Sequence, residues 1–68
     1  MTPWEQHCLD TAAYFTAVRG SKPQLRIRKT FETLDQAVQY AEETFGGDNR
    51  TMIYAVTDTG SHAHIRNA

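Results

Sequence analysis

The loop Asp58-Thr59-Gly60, set between Thr51-Met-Ile-Tyr-Ala-Val-Thr57 and Ser61-His-Ala-His-Ile-Arg66, constrains this chain more than any other stretch. A three-residue loop closing on glycine suits a type I turn followed by a left-handed residue, a conformation that glycine enters without steric cost. Gly60 thereby sets a register in which Thr57 faces Ser61, Val56 faces His62, Ala55 faces Ala63, Tyr54 faces His64, Ile53 faces Ile65 and Met52 faces Arg66. Opposed residues share a face of the sheet. One face then carries Ile53, Ala55, Ala63 and Ile65, and must be core. The other carries Met52, Tyr54, Val56, His62, His64 and Arg66, an oily row beside two imidazoles and a guanidinium. A face of that mixed character wants a partner.

The rest of the chain supplies a layer for the apolar side. Thr33 with Gln36 makes a capping box, Asp35 complements the helix dipole, and Gly46-Gly47 stops the helix, so residues 33–45 are helical. Leu34, Ala37, Val38, Ala41 and Phe45 form its apolar stripe, while Asp35, Gln39, Glu42 and Glu43 point to solvent. Before it, Gln24-Leu-Arg-Ile-Arg-Lys-Thr-Phe31 alternates as a half-buried strand, with Leu25, Ile27 and Phe31 on one side and Arg26, Arg28 and Thr30 on the other. Tyr14-Phe-Thr-Ala-Val-Arg19 is rich in β-formers, and Gly20-Ser-Lys-Pro23 connects the two strands as a first hairpin. At the start, Thr2 as N-cap, Pro3 at the first helical position and Glu5 closing a capping box open a helix. Two endings compete for it. A short helix stops near Asp10; a long one runs to Val18 and erases the first strand. The β-branched and aromatic run from Tyr14 favours the short one.

The expected fold is therefore α+β: an N-terminal helical segment over residues 1–12, then a ββαββ core over 13–66 with one main helix packed on one sheet face, all in a single domain of 68 residues. A chain this short buries only about 60% of the surface its unfolded form exposes, so stability is marginal and burial in a homodimer would add to it. The formal charge of −1 opposes a protein whose main work is neutralising phosphate. A single cysteine, Cys8, cannot form an internal disulfide. With no basic, apolar leader at the N-terminus and no run approaching the roughly 20 apolar residues of a membrane span, the expected location is the cytoplasm.

The run Thr30-Phe-Glu-Thr-Leu-Asp-Gln-Ala-Val-Gln-Tyr-Ala-Glu-Glu, followed by Met-Ile-Tyr-Ala-Val-Thr-Asp-Thr-Gly, resembles short uncharacterised bacterial and phage proteins of ββαββ type over about residues 13–66. The resemblance implies an architecture and no activity. The strand-to-helix part also resembles the arm-binding domain of phage integrases, which implies DNA contact through a small sheet; this chain departs from that pattern in its two further strands and its lack of basic excess.

All seven Lys and Arg residues lie outside the main helix, which carries only acids, so a fold with two electrically distinct sides is expected. Two kinds of binding follow from the face bearing Met52, Tyr54, Val56, His62 and His64. The favoured one is a non-enzymatic interaction with a protein, either another chain or a second copy. The alternative is nucleic acid, with Arg26, Arg28, Lys29 and Arg66 on phosphates and Tyr54 stacking. Trp4 belongs to the same question. With Cys8 and Leu9 it either covers Met52, Tyr54 and Val56 from an overlying N-terminal helix, or leaves that row open to a partner. His62 and His64 point the same way and supply two metal ligands at most, with His7 or Cys8 as a conjectural third, so no metal site is assigned. No orienting group or oxyanion site accompanies Cys8, and Gly46-Gly47-Asp48 precedes a strand, not a helix; no catalytic residue, cofactor site or small-molecule substrate is expected.

Overall fold

The computed structural model describes residues 2–20, 22, 24 and 26–68. Helix α1 (Pro3–Asp10) is followed by β1 (Ala12–Arg19), β2 (Ile27–Phe31), α2 (Leu34–Phe45), β3 (Met52–Thr57) and β4 (His62–Asn67). This is the expected α+β order. Leu25, expected beside Ile27 and Phe31, lies outside the described residues, as do Ser21 and Pro23 of the connector.

Local chemistry accounts for the helix limits. Thr2 caps α1 by accepting from the Glu5 N–H, and Thr11 ends it by donating its hydroxyl and N–H to the His7 carbonyl, so the short helix is realised. Thr33 and Gln36 bond reciprocally at the start of α2, and Gly46, at φ +70°, closes it.

The four strands make one antiparallel sheet in the order β2-β1-β3-β4. β2 and β3 run parallel with β1 between them, and α2 crosses over β1 to join them. Both helices lie on the same face: α2 packs on β1, β2 and β3, and α1 on β3 and β4. Between helices and sheet lies a core of Cys8, Phe15, Ala37, Ala41, Ile53 and Ala55, extended by Ala63 and Ala68. Its small residues let both helices approach the sheet closely. Ile53 is the largest wholly buried side chain.

Two bulges set which side chains face away from the helices. In β1, Ala12 pairs with Thr57 but Tyr14 pairs with Val56, so the extra residue Ala13 turns Ala12 toward the core. In β4 the expected register holds from Thr57 to His64: the Thr57 N–H donates to the Ser61 carbonyl, Gly60 sits at φ +88°, and the pairs Val56–His62, Ala55–Ala63 and Tyr54–His64 all form. It then shifts. Ile53 faces Arg66 and Met52 faces Asn67, because Ile65 is accommodated as a bulge that keeps it against the core. The expected pairs Ile53–Ile65 and Met52–Arg66 do not form.

At the far end of the sheet, Arg19 ties the end of β1 to the loop before β3. Its guanidinium donates to both Asp48 carboxylate oxygens at 2.7 and 2.5 Å and lies 4.1 Å from the centre of the Phe45 ring. That pairing holds the Asp48 carboxyl down at about 2 and raises the Arg19 guanidinium.

Candidate functional site

The sheet face opposite the helices is a grid read directly from the strand register. One row across it is Arg28, Val18, Met52 and Asn67; the next is Thr30, Thr16, Tyr54 and His64; a third is Tyr14, Val56 and His62. The two central strands contribute the apolar and aromatic floor, and the two edge strands contribute the polar margins. Arg26 and Arg28 stand at the β2 margin and His62 at the β4 margin of an open groove of about 420 Å³. None of the described residues lining it is acidic.

The floor is ordered from within. Thr16 and Val18 are 6% and 4% exposed although no helix covers them, so neighbouring side chains on the same face shelter them. Tyr54 stands between the two imidazoles, with ring centres 5.8 Å from His62 and 5.5 Å from His64, and its hydroxyl lies 3.7 Å from the Met52 sulfur. His64 Nε2 is 2.6 Å from the Asn67 amide oxygen, which fixes the outer ring. A ring held by three neighbours loses little freedom when it meets a ligand.

The residues expected on this face divide clearly. Met52, Tyr54, Val56, His62, His64, Arg26 and Arg28 are brought together on it. Arg66 is not: the Ile65 bulge moves it opposite Ile53, Asn67 takes its place beside Met52, and its Nε donates to the Asn67 carbonyl. Lys29 is also elsewhere, on the helix side of β2 with its Nζ 5.1 Å from the Tyr40 ring centre. With Arg19 near Phe45, that puts two cations beside the acidic helix and weakens the expected division into two electrically distinct sides. Trp4 lies on α1, on the opposite face, 52% exposed and 6.0 Å from His7. It covers none of the groove. The same placement separates His7 and the buried Cys8 from His62 and His64, so neither completes a metal site with them.

Tyr14, Thr16, Val18 and Asn67 also belong to the face and were not expected there. The alternation of β1 would have grouped the first three, since Phe15 and Ala17 occupy the core side. No local signal marks Asn67, because its position depends on the bulge.

No protein-family model, curated protein or solved structure matches this chain.

Proposed function

We propose that this chain is a non-enzymatic protein-interaction module that binds through the open face of its sheet. The observation carrying the reading is that both helices share one face, leaving exposed Tyr14 and half-buried Met52, Tyr54 and Val56 without a covering layer between arginine and histidine margins. A contiguous apolar strip with polar edges has the anatomy of an interface core and rim. Tyrosine, methionine and arginine are the residue types enriched at such surfaces. Nucleic acid fits less well, because Lys29 and Arg66 stand away from the groove and phosphate-driven affinity needs clustered cations.

Panning the whole chain against a displayed library of random peptides tests the reading. Binders should be enriched, should compete with one another, and should be lost in the double variant Tyr54→Thr/Val56→Thr. Threonine keeps the β preference of these positions, so the double substitution should cost no more than about 1–2 kcal/mol in a urea melt. Binders that tolerate both substitutions would move the interaction to another surface.

A further inference from the structure

Resting on that reading, we infer that the groove takes an extended, acidic polypeptide segment from another protein, with the pattern acid-x-apolar-x-acid, lying across the strands. Three observations carry it. The first is charge: the Arg26 and Arg28 guanidinia stand at one margin and the His62 imidazole at the other, with His64 next to it along β4, and no described lining residue is acidic, so any carboxylate must come with the ligand.

The second is distance. Arg28 and His64 lie three strand spacings and one row apart, about 16 Å, of which four steps of extended chain cover about 13 Å and the long glutamate and arginine side chains span the rest. In an extended chain residues i, i+2 and i+4 point the same way. A segment with acids at the first and fifth positions and an apolar residue at the third therefore sets one carboxylate at Arg28, the apolar side chain between Val18 and Met52 beside Tyr54, and the second carboxylate at His64. The third is the poor fit of a second copy placed face to face, where every guanidinium would meet a face without carboxylates.

The test is an amide-shift NMR titration of the whole chain at about 50 mM salt, where charge pairing is strong. The probes are the capped peptides Gly-Glu-Ser-Leu-Ser-Glu-Gly, Gly-Lys-Ser-Leu-Ser-Lys-Gly and Gly-Glu-Glu-Ser-Leu-Ser-Gly, and a thymidylate dodecamer. The first peptide should shift the amides of Thr16, Val18, Tyr54 and Val56 and bind at least about tenfold more tightly than the others. In the variant Arg26→Glu/Arg28→Glu, whose folding is checked by its own spectrum, the preference should pass to the lysine peptide. Equal binding of the glutamate and lysine peptides on this face would overturn the acidic partner and leave the interaction module standing. Equal binding of the two glutamate isomers would overturn the spacing. Tighter binding of the dodecamer through the same amides would replace the peptide with nucleic acid, and absence of shifts with every probe would overturn the inference outright. A scattering mass that climbs with concentration and falls in Glu42→Gln/Glu43→Gln would give the groove to the acidic helix of another copy.

Discussion

Arg19 meets three partners at once: the Asp48 carboxylate, the Phe45 ring and, at 3.4 Å, the Thr51 hydroxyl. A planar guanidinium does this because its face stacks while its edge donates in a fork. The consequence is a pH dependence whose sign is set by Asp48. Its carboxyl titrates at about 2 in the folded chain against 3.8 ordinarily, mainly through the hydrogen bond from Arg19. A depressed acid stabilises the fold above its ordinary value and loses that contribution as the pH falls from 3.8 toward 2. Urea melts of the parent and of Asp48→Asn should therefore differ at neutral pH, with the variant less stable, and converge on acidification through that window. A gap that stayed constant with pH would contradict the ion pair.

At the scale of elements, α1 and α2 contrast. α2 is closed at both ends by its capping box and by Gly46, and its Ala37 and Ala41 are wholly buried against the sheet. α1 has eight residues, too few to persist as an isolated helix, and is anchored mainly by Cys8 and Leu9 while Trp4 remains largely in water. It should open without global unfolding. Cys8, 0% exposed under α1, reports that opening. Its alkylation in the native chain should proceed with a weaker urea dependence than global unfolding shows, and equal dependences would mean that α1 and the sheet open as one unit. The two edge strands contrast as well. β4 is interrupted by the Ile65 bulge and backed by α1, whereas β2 pairs through five successive residues and leaves Ile27 47% exposed, with Arg28 and Lys29 guarding it against further strand pairing.

For the molecule as a whole, the arrangement is two layers, helices on sheet, with no third layer on the sheet's other face. Both helices pack on one sheet face, so the half-buried apolar floor of the other face has no layer over it. With no acid in the groove, the chain is expected to remain a monomer: light scattering should return a mass near 7.7 kDa across a concentration series. A mass rising to twice that value would show that burial of the floor outweighs the unmatched guanidinia. Among the described residues no helix is long and apolar enough to cross a membrane.

Short-range chemistry written in the sequence determined the helix caps, the Gly60 turn, the pairs Tyr54–His64 and Val56–His62, and the apolar stripe of α2, because each depends on residues within a few positions of one another. Tertiary structure alone decided the remainder. The order β2-β1-β3-β4 joins strands far apart in the chain; the Ile65 bulge exchanges Arg66 for Asn67 to keep an isoleucine in the core; and α1 seats Cys8 among Ile53 and Ala55 when Tyr54 and Val56 offered it an apolar surface too. These outcomes were settled by packing among distant side chains, a competition that periodicity and capping signals do not record.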